Sequence, residues 1–151
     1  MLSLAAVACG LLSCRKDLEE ATPQPAAAAV LSPAAQLATA GWHQTGLLVS
    51  TATADQVAEA DLFSHVSPRL LDKLAAFQAD GTYTVLKGGA DASPRAGRWL
   101  LSPAGDSLTL TLAKHVRHLA VRELTGSTMS LTYTDAAAGG SVTTYTSVYG
   151  H

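Results

Sequence analysis

From residue 41 onwards, short runs of alternating apolar and polar residues are separated by turn signals. Between residues 107 and 112, three leucines fall on one face of a strand and two threonines on the other, which is typical of a half-buried strand. The Asp80-Gly81 pair lies between apolar arms and predicts a hairpin turn. Because turn signals recur every roughly 8 to 12 residues, the pattern predicts about seven or eight antiparallel strands joined as a meander.

A meander of that many strands has two unpaired edges, and closure into a barrel removes both. We therefore predict an all-β fold, a small antiparallel up-and-down barrel. The side chains predicted to point inward are Trp42, Phe77, Tyr83, Trp99, Leu108, Leu110, Leu112, Met129, Leu131 and Tyr133. An eight-stranded barrel has room for packed side chains or one small ligand. A filled core and a partly open pocket are therefore both consistent with the sequence.

The segment between the first two strands interrupts the strand pattern. Thr53 and Gln56 fit a capping box, which predicts a short helix. The apolar residues that would share one helical face are Val57, Ala60 and Phe63. Pro68 fits the first position of a second short helix, but residues 68–76 fit a strand equally well. Residues 54–74 are long for a connection between strands, and we interpret them as a lid.

An uncharged apolar stretch opens the chain and ends at a cysteine. Residues 2–13 are too short for a membrane span of roughly 20 residues but suit a signal-peptide core. The LLSC motif at residues 11–14 resembles the bacterial lipobox, whose cysteine receives a diacylglycerol and becomes the first residue of the mature chain. The resemblance implies lipid attachment at Cys14. The alternatives are a disulfide between Cys9 and Cys14, or two inert buried cysteines.

The chain accordingly divides into three parts. Residues 1–13 are predicted to be a lipoprotein signal peptide, and 14–40 the lipidated cysteine with an alanine- and proline-rich tether. Residues 41–151 are predicted to form the barrel. Two or more acyl chains anchor a protein stably, so we expect a lipid-anchored protein of the bacterial cell envelope. We place it at the outer membrane, on the periplasmic or the surface-exposed side, with the membrane as a partner through the lipid.

Composition and motifs argue against several classes of function. The net charge of −2 and the pI near 6.2 give no long-range field that would attract nucleic acid. No cysteine follows residue 14, so the predicted barrel contains no disulfide and no thiolate metal site. The sequence has no glycine-rich phosphate loop, no H-E-x-x-H motif and no nucleophile elbow. We therefore expect a protein that is not an enzyme, with no catalytic residues and no cofactor.

The histidines and basic residues of one predicted strand receive a structural interpretation. His115 and His118 are three residues apart, which places them on opposite faces of a strand, so we predict no metal site. Lys114, Arg117 and Arg122 make the same strand locally basic. Such a strand fits a solvated face or a phosphate contact, and we favour the solvated face.

Three stretches together resemble a known family. They are Gly41-Trp42, the sequence FQADGTYTV at residues 77–85, and Ala96-Gly97-Arg98-Trp99 followed by LLSPAGDSLTLTL. Over about residues 41–149, they resemble the lipocalin-like domains of bacterial lipoproteins of the Bacteroidetes group. The resemblance implies a calyx-like barrel that binds a small hydrophobic or amphipathic ligand without catalysis.

The candidate ligand-binding positions are aromatic or apolar residues at the barrel interior or mouth. They are Trp42, Phe63, Phe77, Tyr83, Trp99, Leu110 and Tyr133. The alternative function is that of a filled barrel acting in protein–protein interaction, or as an accessory subunit of an envelope complex. The sequence names no protein partner for that role.

Overall fold

The structure is a computed structural model that describes residues 31–39, 41–89, 93–137 and 140–151. In chain order, the elements of these residues are α1 (Pro33–Leu37), β1 (Gly41–Ala52), β2 (Val57–Asp61), a 3₁₀ turn (Pro68–Leu70), β3 (Asp72–Phe77), β4 (Thr82–Lys87), β5 (Arg95–Leu101), β6 (Ser107–Leu112), β7 (His115–Leu124), β8 (Thr128–Ala136) and β9 (Val142–Gly150). The strands form one sheet in the order β2-β1-β3-β4-β5-β6-β7-β8-β9. An additional pairing of β1 with β9 closes β1 and β3 to β9 into an eight-stranded barrel. The predicted antiparallel up-and-down barrel is confirmed.

Turn residues define where the strands reverse. The predicted turn at Asp80-Gly81 joins β3 to β4, and Gly81 adopts a φ of +81°, a conformation that glycine tolerates. The carboxylate of Asp80 accepts hydrogen bonds from the backbone N–H of Thr82 at 2.9 Å and from its hydroxyl at 2.7 Å. These bonds, the side-chain one foremost, lower the pKa of Asp80. Asp80 is therefore a turn residue, as its position beside a glycine predicts.

One end of the barrel is closed by α1 and by the start of β1. Ser32 caps the helix by accepting a hydrogen bond from the backbone N–H of Ala35 at 3.2 Å, and Pro33 occupies the first turn. Leu37 and Trp42 are fully buried, and the indole N–H of Trp42 donates to the carbonyl oxygen of Leu37 at 2.9 Å. The packed unit therefore includes residues that precede Gly41.

Alternation along the strands decides which side chains reach the interior. Of the residues predicted to point inward, Trp42, Phe77, Tyr83, Leu108, Met129 and Leu131 are buried in one core cluster. Trp99, Leu110 and Leu112 pack against that cluster. The register predicted from the apolar pattern is therefore correct for these strands.

The helix predicted after Thr53 is wrong, because residues 57–61 form strand β2. Only the first two residues of β1, Gly41 and Trp42, pair with β3, so the far half of β1 leaves one edge open. Strand β2 fills this edge by pairing with residues 48–52. Both the backbone N–H and the hydroxyl of Thr53 donate to the carbonyl oxygen of Gln56, at 2.9 and 3.2 Å, which makes a tight turn instead of a helix cap.

The second predicted helix consists of one 3₁₀ turn that begins at Pro68. The hydroxyl of Ser67 accepts a hydrogen bond from the backbone N–H of Arg69 at 3.4 Å, as expected of an N-cap. The chain is extended again from Asp72, where β3 begins. Both readings of residues 68–76 are therefore correct in part, with the turn first and the strand after it.

The predicted signal peptide, both cysteines and most of the predicted tether lie outside the described residues. Within the described ranges, no helix is long and apolar enough to cross a membrane.

Candidate ligand-binding cavity

A cavity of about 510 Å³ lies inside the barrel and opens at the end opposite α1. It is lined by Gln44, Leu47, Leu70, Asp72, Ala75, Phe77, Tyr83, Val85, Lys87, Arg95, Leu110, Leu112, His115, Arg117, Leu119, Met129, Leu131, Tyr133, Tyr145, Ser147 and Tyr149. Small-molecule sites in proteins commonly measure about 300–1,000 Å³. The cavity is therefore large enough for one small ligand.

The inner part of the cavity is apolar. Phe77 is buried at its base, stacked on the ring of Tyr83 with centroids 5.8 Å apart. Trp99 meets Phe77 edge-on, with ring centroids 5.9 Å apart. Gly97 makes room for the Tyr83 ring, because a Cβ at that position would lie 2.6 Å from the ring and 2.3 Å from the carbonyl oxygen of Thr111. The aromatic base is thus held by contacts on three strands.

A polar network stands on one wall of the cavity, centred on Asp72. The phenol of Tyr149 donates to Asp72 Oδ2 at 2.9 Å, and the amide oxygen of Gln44 accepts from the Asp72 backbone N–H at 2.8 Å. The ammonium of Lys87 forms an ion pair with Asp72 Oδ1, an oxygen that receives no hydrogen bond of regular geometry from the described residues. The ion pair and the phenol together balance the carboxylate, which is consistent with its partial burial.

The environment of Tyr149 keeps its phenol protonated. Burial raises the pKa of Tyr149 well above its usual value, and the charge of Asp72 and the hydrogen bond to it raise it further. Burial is also the largest cause that raises the pKa of Tyr83, followed by the charge of Asp72. The charges of Arg117 and Arg95 act on Tyr83 in the opposite direction. These cations therefore act on groups inside the barrel.

Strand β7 divides its charged side chains between the two faces of the barrel wall. His115 and Arg117 line the cavity. On the outer face, the Nδ1 atom of His118 lies 3.1 Å from the hydroxyl of Thr109. The prediction that His115 and His118 occupy opposite faces is confirmed. Arg117 is exposed, as the sequence interpretation expected, but its register opposite Leu110 places it on the cavity side of the wall.

Among the residues predicted to bind ligand, Phe77, Tyr83, Leu110 and Tyr133 line the cavity. Trp42 is buried at the closed end. Trp99 packs edge-on against Phe77, and its indole N–H donates to the Gln78 carbonyl oxygen at 2.9 Å. Phe63 lies in the connection after β2 and does not line the cavity. Of residues 54–74, the segment interpreted as a lid, Leu70 and Asp72 line the cavity. Ligand contact at each position stays a prediction.

Sequence reasoning did not assign the polar residues of the cavity to the barrel interior. They are Gln44, Asp72, Lys87, Arg95, Arg117 and Tyr149. The alternation of the strands could have identified them, because every second residue of a strand points to the same face. Lys87 is two residues after Val85, and Arg117 is two residues before Leu119, so each shares the inward face of its apolar neighbour. Grouping charged residues by proximity along the chain hid this signal.

Within the part of the chain that the structure describes, no three or more histidine, cysteine, aspartate or glutamate residues cluster as metal ligands do.

The fold and the cavity define the class of protein. It is an eight-stranded antiparallel β-barrel that is closed at one end and holds an internal cavity open at the other.

Comparisons with known proteins add two distant structural similarities. The sequence matches no family model and no curated protein. A deswapped triple mutant of bovine odorant binding protein is 9% identical, with a TM-score of 0.43 over 77% of this chain and 74% of that chain. An uncharacterized protein from Bacteroides eggerthii is 14% identical, with a TM-score of 0.36 over 71% of this chain and 96% of that chain. The class is therefore assigned from the strand pairing and the cavity of this chain itself.

Proposed function

We propose that this protein is a non-enzymatic, lipid-anchored protein of the bacterial cell envelope whose barrel binds one small hydrophobic or amphipathic molecule. The observation that carries the binding proposal is the cavity of about 510 Å³ with an apolar base and a set of polar groups on its walls. Each 100 Å² of apolar surface that a ligand removes from water contributes about 2.5 kcal/mol to binding. The buried aromatic base therefore supplies an affinity for hydrocarbon.

The same cavity bears on the alternative of a filled barrel that acts through protein contacts. A filled barrel would pack its interior to the density of an ordinary core, which leaves no void of this size. Toward α1 the interior is packed, with Leu37, Trp42 and Leu108 fully buried. The cavity therefore favours small-molecule binding over the interaction module.

The binding proposal is tested by placing a large side chain inside the cavity and, as a control, the same side chain on the outer face of the same strand. Ala75 is buried and lines the cavity, whereas Ala76 is its neighbour on the outer face of β3. We expect Ala75→Phe to weaken binding of the neutral fluorescent probe N-phenyl-1-naphthylamine by about tenfold, a loss of about 1.4 kcal/mol. Ala76→Phe adds the same ring outside the cavity and serves as the matched control.

Native mass spectrometry of the protein purified from its host provides the second measurement, and we expect a bound small molecule. The binding proposal fails if the wild-type chain is empty in that experiment and also leaves the fluorescence of the probe unchanged. Equal affinities of Ala75→Phe and wild type would also contradict it. Thermal unfolding of both variants establishes that each is folded.

The lipid anchor and the envelope location are supported by the lipobox resemblance at residues 11–14. Cys14→Ala removes the thiol that would carry the diacylglycerol. We expect this variant to incorporate no labelled palmitate and to leave the membrane fraction. Cys9→Ala is the control and should still be labelled. If Cys14→Ala is labelled and sediments with membranes, the anchor proposal is wrong.

A further inference from the structure

The cavity concentrates positive charge although the whole chain is acidic. The formal net charge of the chain is −2. The cavity is lined by three cationic side chains, Lys87, Arg95 and Arg117, against one carboxylate, that of Asp72, so its lining carries a surplus of two positive charges. Lys87 is half-buried, whereas Arg95 and Arg117 are exposed to solvent where they line the cavity. The charge of this lining therefore points to the chemistry of the ligand.

The surplus charge belongs to the two arginines. Lys87 forms an ion pair with Asp72, which also accepts a hydrogen bond from Tyr149, so this group is balanced within the protein. Among the residues that the structure describes, no carboxylate lies within 4.0 Å of the guanidinium of Arg95 or Arg117. The two arginines thus offer planar groups suited to bidentate hydrogen bonds with an oxyanion.

Strand register places both guanidinium groups on the inner side of the wall. Residues directly opposite one another on antiparallel strands present their side chains to the same face. Arg95 is opposite Val85 and Arg117 is opposite Leu110, and both apolar partners line the cavity. The cations therefore share one cavity with the apolar residues.

The two arginines lie toward the end of the barrel opposite α1. Phe77 lies at the end of β3 near α1, whereas Arg95 begins β5 and Arg117 lies near the start of β7, at the opposite end. An occupant that satisfies both regions has a hydrocarbon body with a charge at one end only. A neutral hydrocarbon would leave the arginines without an anion, and a cation would be repelled by them.

Building on the proposed function, we propose that the ligand is an amphiphile with one anionic head group. Its hydrocarbon body occupies the apolar base over Phe77, and its oxyanion binds Arg95 and Arg117 at the mouth. A carboxylate and a phosphate ester share the chemistry that these guanidinium groups recognise. Comparing dodecanoate with dodecyl phosphate distinguishes these two sources of the anion, and tighter binding of either one than of dodecanol supports the proposal.

The test compares amphiphiles that share one chain and differ only in the head group. Dodecanoate, dodecyl phosphate, dodecanol and dodecylammonium each displace N-phenyl-1-naphthylamine from the full-length chain, below their micelle-forming concentrations. We expect at least one of the two anions to bind about tenfold more tightly than dodecanol, and dodecylammonium to bind most weakly. Tenfold corresponds to about 1.4 kcal/mol, a modest charge-assisted interaction at a partly solvated site.

Variants assign this selectivity to the arginines. Arg117→Gln should reduce the ratio of anion affinity to dodecanol affinity about tenfold. Arg117→Glu cancels the surplus charge of the lining and should remove the preference for the anions over dodecylammonium. Arg95→Gln should reduce the ratio in the same direction. Arg98→Gln is the matched control, since Arg98 is exposed on β5 and does not line the cavity, so it should keep the wild-type ratio.

Failure of the inference can be told apart from failure of the proposed function. If N-phenyl-1-naphthylamine and dodecanol bind but neither anion exceeds dodecanol, the binding protein stands and the anionic head group is wrong. The same holds if Arg117→Gln keeps the wild-type ratio while its thermal unfolding shows a folded protein. If no probe binds at all, the proposed function is overturned together with this inference.

Discussion

Replacing Leu37 measures how far α1 belongs to the core of the barrel. Leu37 is 1% exposed, and its carbonyl oxygen accepts the hydrogen bond from the Trp42 indole, which the substitution leaves in place. Leu→Ala substitutions at buried sites cost about 2–5 kcal/mol, depending on how far the cavity can collapse. Because α1 is only five residues long, it can relax partly toward the gap. We therefore expect Leu37→Ala to lower the free energy of unfolding by about 3 kcal/mol.

Urea unfolding followed by tryptophan fluorescence is the appropriate assay. A change in stability moves the transition midpoint while its slope against urea stays constant. Leu31→Ala is the matched control, because Leu31 lies in the same segment but is 49% exposed, and surface substitutions usually change stability by less than about 0.5 kcal/mol. If Leu37→Ala proves as stable as Leu31→Ala, the conclusion that the core includes residues before Gly41 is refuted.

Two further predictions concern the barrel wall and alkaline pH. Gly97→Ala should lower the free energy of unfolding by about 1–3 kcal/mol, because its Cβ would lie 2.3 Å from the carbonyl oxygen of Thr111. Gly126→Ala is the control: a Cβ at Gly126 would meet no other part of the protein within 4 Å, so this variant should unfold like wild type in urea. Because the pKa of Tyr149 is raised on folding, its stabilisation is complete below its ordinary value of 10.0 and is lost as pH rises above it. Tyr149→Phe cannot ionise there, so its free energy of unfolding should fall less steeply above that pH. If the free energies of unfolding of Tyr149→Phe and wild type fall equally steeply above that pH, this reasoning is contradicted.

The alternation of apolar and polar residues was sufficient to predict the barrel wall. In β6, Leu108, Leu110 and Leu112 face inward as their period of two requires. The glycine after Asp80 made one turn predictable as well, because its positive φ is strained for other residues. These features depend on backbone geometry and on near neighbours, so the local sequence determines them.

The misread segment shows where local patterns fail. Residues 57–61 have a helix-like arrangement of alanine and acidic residues, yet all five are exposed and extended in β2. Their backbone groups pair with residues 48–52, an edge that exists only because β3 leaves β1 after Trp42. Helical propensity is a weak prior, and tertiary pairing overrides it.

By itself, the sequence determined the class of fold, the inward apolar set, the hairpin at Asp80-Gly81 and the expectation of a lipid anchor at Cys14. Only the tertiary structure decided that the interior holds a cavity of about 510 Å³ and that Arg95 and Arg117 face into it. The physical reason is that strand periodicity is a local property of the chain. The volume left inside a closed barrel and the meeting of charges from separate strands depend on how all eight barrel strands close together.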